Sequence, residues 1–429
     1  MSRTKRTSWA CGILLGCVAI AVVLLPGLLR GYDARETSPS GRLVVHEWGT
    51  FTSFAGSNGV NLEFRPLVTN DLPRFIETPT SIFSKDRVVA QQRMETPVTY
   101  FYTDVPRTVN VRVDFPQGLL TEWYPRAKRA GPGQQNSFGT IQGRAFLDWG
   151  PVRLTPPEQF ADVRVRIPSG KTGKVVPASL PPVAADDHYG QARETDSAIV
   201  ETVDANRISQ FEKFLFYRGL GNFELPIKLV ALGGDRFEVT NSAADASGAL
   251  LLVRIESDRV RFTRMDPISP GSAIEVKLPS AESTVDLLAE ATVGELIAAG
   301  LYEKEALAMV NTWRTSWFGE SGTRLLYLVP GKLTDELLPL TVDPAPDERV
   351  RVLVGRLETL TPEDCQRLVH ALAGSGPGEE PTAEAVKTEL ASLGRFAEPA
   401  IQFVIGQSKV GQVRDRLEAV LAEIRGGNS

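Results

Sequence analysis

From Leu43 to about Pro279 the pattern is strand-like, with apolar residues at every second position in several runs, and from Ser283 onward the period is helical. This change of period constrains the fold more than any other feature. Side chains on a strand alternate between two faces, whereas those on a helix share a face every three or four residues. Val109, Val111, Val113 and Phe115 alternate, as do Val163, Val165 and Ile167. Further strand candidates lie at 43–54, 98–102, 144–147, 213–217, 226–232, 236–240, 250–255, 260–263 and 273–278, cut by Pro and Gly. Short punctuated strands predict antiparallel sandwiches. The stretch 225–280 reads as a small immunoglobulin-like β sandwich, with Pro270-Gly271 turning into its last strand. Segments 125–140 and 168–198, rich in Pro, Gly and polar residues, read as long loops.

In the second part, Thr292 with Glu295 reads as a capping box and Gly300 as the residue after a helix end. Ala306, Val310, Trp313 and Trp317 share a helical face, so the two tryptophans read more readily as packing residues than as a ligand platform. Strand character returns at 323–329 and 349–356. Thr361-Pro362 then supplies an N-cap and a first-turn proline, and 374–381 reads as a linker. The fold class expected is a mainly β sandwich body followed by an α-rich C-terminal part, α+β and multidomain. Its divisions are a β-rich domain at 42–224, the sandwich at 225–280, a mixed α/β segment at 283–375 and a helical unit at 382–425.

Ahead of this body, Arg3, Lys5 and Arg6 precede an uncharged run from Thr7 to Leu29 whose apolar core covers 10–29. As a helix that core extends about 30 Å, the hydrocarbon thickness of a bilayer. The basic flank predicts a cytoplasmic N terminus and an extracytoplasmic bulk, with the lipid bilayer as partner of residues 10–29. Three readings of residues 1–30 stay open: an uncleaved single-pass anchor in the cell membrane, a cleaved signal that leaves a secreted protein, and a lipoprotein signal. No Ala-x-Ala site follows the run. Leu14-Leu15-Gly16-Cys17 is similar to a lipoprotein box but is followed by apolar residues to Leu29, so the anchor is favoured. Residues 31–41 form a polar tether.

The chain carries 47 basic and 52 acidic residues; without Arg3, Lys5, Arg6 and Arg30 the balance is 43 against 52, or −9. That disfavours nucleic acid, which needs a basic footprint. Cys11 and Cys17 lie in the apolar run, so only Cys365 remains outside it and no disulfide can form there. Cys365 reads as a small core residue, since His370, five positions on, falls on another helical face.

The run Val45-His46-Glu47-Trp48-Gly49-Thr50-Phe51-Thr52 is similar to a motif that opens the mature part of a family of exported bacterial proteins of unknown function. Runs 93–98, 118–125, 192–196 and 212–218 resemble that family too, and the likeness brings no activity with it. In the tail, 393–400 and 413–421 together resemble one HEAT repeat, with Pro399 in the first helix and Leu417, Val420, Leu421 and Ile424 on one face of the second. Such a unit implies protein contacts in general and must dock on its neighbour. A plain helical hairpin closing the fold accounts for the same residues.

Two constellations can carry chemistry. On a strand His46 and Glu47 face opposite sides. If His46 faces inward it can meet His188, and a carboxylate from Asp187, Glu194 or Asp196 would complete a two-His, one-carboxylate metal site. The plainer alternative is a hydrogen-bonded core His46 and a solvated His188. Second, Glu47, Glu122 and Glu194 lie near aromatics or arginines; a carboxylic acid against Trp can have a raised pKa, and two carboxylates across a cleft can hydrolyse glycosides. Trp48, Trp123 and Trp149 would then stack on sugars, unless they fill the core and the acids pair with Arg65, Arg93 or Arg193. There is no Walker loop, no Gly-x-Gly-x-x-Gly after a strand, no Gly-x-Ser-x-Gly and no Cys-x-x-Cys, which disfavours nucleotide, NAD and haem and leaves any cofactor unknown. The leading expectation is an envelope protein that binds or scaffolds a macromolecule, with a protein partner at the C-terminal helical part. The alternative is an extracytoplasmic hydrolase, with Glu47, Glu122, Glu194 and Asp196 as catalytic candidates and His46 and His188 as metal ligands.

Overall fold

The computed structural model describes residues 41–65, 72–78, 88–131, 144–167, 173–184, 187–256, 259–374, 381–409 and 411–427. The expected anchor at 10–29 lies outside them, and among the described residues no helix is long and apolar enough to cross a membrane.

Eight strands form the main sheet, in the order Arg259–Met265, Leu250–Glu256, Gly322–Leu328, Glu348–Thr359, Val44–Ala55, Gln92–Tyr102, Leu215–Gly221 and Gly118–Tyr124, with the short Asn61–Leu62 strand pairing on Val44–Ala55. Val44–Ala55 and Glu348–Thr359 run parallel; the other neighbours are antiparallel. Every residue of Val44–Ala55 and of Gln92–Tyr102 is buried, so both faces of the sheet are covered.

On one face Val45, Phe51, Met94, Phe101 and Leu215 pack against Val109, Val111, Val113, Leu147 and Leu154 of a second sheet. That sheet runs Ser209–Glu212, Ile199–Val203, Ala145–Thr155, Arg107–Phe115 and Leu340–Asp343, with Arg129–Gly131 beside Ala145–Thr155. A three-stranded sheet, Ile227–Gly233, Arg236–Asn241 and Ala273–Lys277, joins the same core. On the other face Val44, Trp48, Val98 and Val352 meet Leu288 and Leu296 of helix Val285–Ala298, and Met309, Val310 and Trp317 of helix Glu303–Phe318. Farther along this face Phe54 packs with Leu368, Ile401 and Leu417 from helices Pro362–Ala373, Ala397–Gln407 and Gly411–Gly427. Each such large apolar side chain, fully buried, contributes about 1.5–3 kcal/mol.

The structure is thus mainly β, with its helices toward the C terminus. Its strands do not respect the divisions expected at 224 and 282. The 225–280 stretch is not a separate sandwich: Leu250–Glu256 and Arg259–Met265 form the edge of the main sheet, and the other three strands lie in a sheet of their own. Helix Val285–Ala298 begins where the period changes, but its N-cap is Thr284 and not Thr292; the Thr284 side chain accepts from the Leu287 N–H at 3.2 Å. Thr292 is therefore mid-helix and donates to the Leu288 carbonyl. Gly300 does follow the helix end, at φ +109°, and Thr361 forms the expected N-cap, with Asp364 as its capping-box partner. The described part of 168–198 is not one loop, since it holds strand Lys174–Pro177 and the helical turn His188–Gln191.

Candidate functional site

The strand Val44–Ala55 sends His46, Trp48, Thr50, Thr52 and Phe54 toward the helices, and Glu47 toward the second sheet, as period two requires. His46 is fully buried. Its Nδ1 lies 2.7 Å from Glu305 Oε2. The other carboxylate oxygen of Glu305 accepts from the Tyr102 hydroxyl at 2.6 Å, and Oε2 also accepts from the Tyr302 N–H at 2.8 Å. Burial and then the Glu305 carboxylate push the Tyr102 phenol well above its ordinary value, which keeps it a donor. His46 Nε2 has no partner among the described residues.

His188 lies elsewhere. It opens the turn capped by Asp187, with its Nε2 3.4 Å from Arg218 Nη2 and its ring 6.2 Å from Trp313. Glu305 and Trp313 sit on one helix, more than two turns and about 12 Å apart. The two histidines therefore mark different places along it, and the expected metal pair is not formed. No group of three or more His, Cys, Asp or Glu side chains that could hold a metal occurs among the described residues.

The four acids do not converge either. Glu47 faces the sandwich, accepting from Thr99 and Tyr217 hydroxyls at 2.9 and 2.7 Å on Oε1 and from Arg351 at 2.6 and 2.8 Å on Oε2. Glu122 sits on the edge strand opposite Arg218 and accepts from the Thr121 hydroxyl. Glu194 is exposed, and so is Asp196, which pairs with Lys304 at 2.7 Å. Trp48, Trp123 and Trp149 are buried in the two cores, so they offer no open platform for a sugar. The motif runs nevertheless share a location: 45–52, 93–98, 118–125 and 212–218 fall on four neighbouring strands of the main sheet.

A different polar cluster is built on the helix-covered face of that sheet. Along Val44–Ala55 and Gln92–Tyr102 the pairing runs Trp48 with Val98, then Thr50 with Glu95 and Thr52 with Arg93. Without the one-residue shift between Trp48 and Thr50, Thr50 and Thr52 would face Thr96 and Met94, and Arg93 and Glu95 would point into the apolar sandwich. The bulge turns them outward. Gly49 and Thr96 bear its local cost. A Cβ at Gly49 would lie 2.9 Å from Pro97 Cα, and Thr96, a β-branched residue, adopts φ +44°.

Arg93 and Glu95 thereby meet Arg356 and Glu358 of the strand Glu348–Thr359, Arg324 of Gly322–Leu328 and Arg395 of the turn Gly394–Phe396. Glu95 is 3.1 Å from Arg93 and 2.7 Å from Arg395, and accepts from Thr52 at 2.6 Å. Glu358 is 2.6 Å from Arg356 and 3.0 Å from Arg324. Arg324 also donates to the carbonyls of Ser316, Trp317 and Glu320 at the end of helix Glu303–Phe318. Burial alone would push both glutamates up. Arg395 and Arg93 overrule it for Glu95, and Arg324 and Arg356 for Glu358, so both are held below the usual carboxylate range.

This network floors a cleft of about 880 Å³ between the sheet and the C-terminal helices, walled by Trp313, Leu360, Leu393 and Phe396. Among the described residues its floor holds three buried guanidiniums, the partly buried guanidinium of Arg395 and the two buried carboxylates of Glu95 and Glu358. A third carboxylate, Glu320, reaches Arg356 Nη2 at 2.7 Å from the mouth, with its side chain 55% exposed. Sequence reasoning missed this cluster. Its signal is Arg-x-Glu at 93–95 and again at 356–358, a spacing that puts both charges of each pair on one face of a strand.

No family model matches the chain, and no curated protein matches it. Among solved structures it is similar to the Fcho1 mu homology domain of Danio rerio with bound Eps15 peptide, at 8% identity over 75% of this chain and 94% of that chain, with a TM-score of 0.25. It is likewise similar to the yeast delta-COP-I mu-homology domain, at 8% identity over 75% and 96% with a TM-score of 0.25, and to that domain complexed with Dsl1 WxWxV peptide, with a TM-score of 0.24. At these scores the likeness carries no weight for function.

Proposed function

We propose that the chain is a membrane-anchored extracytoplasmic protein whose body is a binding module, with the arginine-floored cleft as its binding surface. The anchor rests on the uncharged run Thr7–Leu29 behind a basic flank. The binding role rests on one observation, the concentration of buried charge on the floor of an open cleft. Replacing buried ion networks by well-packed apolar residues is often neutral or stabilising by about 1–4 kcal/mol, so stability alone gives little reason for this one. A charged floor under partly apolar walls suits a ligand with a polar group and an apolar body. The hydrolase alternative has less support, because Glu47 lies in the sandwich bound to Arg351, Glu122 on the edge strand, and Asp196 is exposed and paired with Lys304.

The test is a stability screen of the full chain in detergent against soluble organic anions, sugars and short peptides, run beside Ala391→Trp. Ala391 is exposed and lines the cleft, so the larger ring narrows it without replacing a charged residue. A ligand at one hundred times its Kd should raise stability by about 2.7 kcal/mol. The expected result is a compound that stabilises the natural chain and not the narrowed variant. If no compound acts, or every active compound acts equally on both, the cleft is not the binding surface.

A further inference from the structure

We infer that the cleft takes a carboxylate, and that Glu320 holds the place of the ligand's carboxylate until the ligand arrives. The inference rests on the cleft being the binding surface and adds the chemistry of what enters it. Arg356 has two carboxylate partners of different character. Glu358 is buried beside it on the same strand, 2.6 Å away. Glu320 comes from the solvent side and touches only the outer nitrogen, Nη2, at 2.7 Å. The first is part of the fold; the second is a half-exposed side chain whose loss leaves Arg356 still paired.

The backbone around Glu320 does not have to move for the exchange. Arg324 Nη2 holds the Glu320 carbonyl at 2.6 Å, and Arg324 Nη1 holds those of Ser316 and Trp317 at 2.8 and 2.6 Å. A rotation of the Glu320 side chain alone frees the solvent side of Nη2, while Glu358 keeps its own contact with that nitrogen at 2.6 Å. The half-exposed carboxylate gains little by staying, since exposed ion pairs contribute weakly. An incoming carboxylate would find the same guanidinium edge, already desolvated on its inner side, and charge-assisted bonds to a planar guanidinium are among the stronger hydrogen bonds.

Two further groups of the lining can use an acceptor. The indole N–H of Trp313 and the hydroxyl of Thr323 both line the cleft, and both are buried with no partner among the described residues. Buried donors are normally satisfied, so an acceptor oxygen of a ligand would satisfy the indole N–H and can be met by the hydroxyl as well. Leu360, Leu393 and Phe396 supply apolar wall for the body behind that head.

The experiment titrates the full chain in detergent with benzoate, a carboxylate on an apolar ring, and with benzamide, its neutral counterpart. The natural chain, Glu320→Ala and Arg356→Lys are compared. Glu320→Ala is expected to bind benzoate about tenfold more tightly than the natural chain, Arg356→Lys at least tenfold more weakly than Glu320→Ala, and benzamide should bind none of them. Equal or weaker benzoate binding by Glu320→Ala overturns the displacement, and so does benzamide binding as tightly as benzoate. Because Glu320 is half exposed, that variant keeps its fold and its result is readable even if Arg356→Lys does not fold. A ligand blocked by Ala391→Trp together with an unchanged Glu320→Ala affinity would keep the cleft and remove the carboxylate. Loss of both would remove the cleft as well.

Discussion

The two faces of the strand Val44–Ala55 each carry a buried ionic cluster, and the two differ in their balance of charge. On the sandwich side one carboxylate, Glu47, meets one guanidinium, Arg351, and two hydroxyls; Arg351 spends its remaining edge on Asp335 at 2.8 Å. On the helix side four guanidiniums share two buried carboxylates, and the set is completed from the solvent by Glu320. The chemistry is the same on both faces. Both sets end on a half-exposed carboxylate, Asp335 on one face and Glu320 on the other; what differs is the balance, one guanidinium between two carboxylates against four guanidiniums among three. A guanidinium already outnumbered by carboxylates has no use for another, whereas a set with more guanidiniums than carboxylates can accept one.

The comparison breaks most visibly if Glu47→Ala is tolerated. Removing one partner of a buried pair typically costs about 3–5 kcal/mol, and that loss is expected in urea denaturation of this variant. A loss under about 1 kcal/mol would mean that the Glu47–Arg351 pair does not hold the sandwich side together. Gly49→Ala should cost about 1–3 kcal/mol, because its Cβ would press on backbone at Pro97. Unchanged stability in the Gly49→Ala variant would show that the bulge has room to spare.

Acid sharpens the contrast on the helix side. Glu95 and Glu358 have folded values below their unfolded value of about 4.3. Their contribution is therefore present above that value and is lost as pH falls toward the folded values. In Glu95→Gln the acid limb of the stability curve should be shallower by up to about 1.4 kcal/mol per pH unit, the slope of one proton. An unchanged limb would mean that Glu95 does not titrate on unfolding. The smallest effect is expected at the mouth. Glu320→Ala should shift stability by no more than about 1 kcal/mol, and a larger loss would move Glu320 into the fold and out of the exchange.

Much of this architecture was legible from local pattern. The alternation at 109–115, the strands near 43–54 and 250–255, and the cap at Thr361 all appear where period and capping chemistry put them. The strand Gly118–Tyr124 was not legible, because all seven of its residues are buried and nothing alternates. Thr292 misled for a related reason: the capping sequence occurs inside a helix that already has a cap at Thr284. For the site, period two correctly separated His46 from Glu47. The partner of His46, Glu305, comes from a helix far along the chain, and no spacing rule reaches that far. The cleft was hidden for a sharper reason. Which residues of 92–102 face the helices depends on the one-residue shift opposite Gly49, and register belongs to a pair of strands, not to either sequence alone.

The parallel pairing of Val44–Ala55 with Glu348–Thr359 has a consequence in time. A chain made from its N terminus presents the Val44–Ala55 strand early, yet one of its edges stays open until the strand at 348–359 has emerged. Closing that contact orders nearly the whole intervening chain, the kind of distant pairing that makes folding slow. Until then the strand is a bare, largely apolar edge, open to pairing with other chains. Whatever keeps a nascent copy of this protein from joining its neighbours must act for as long as it takes to deliver residue 359.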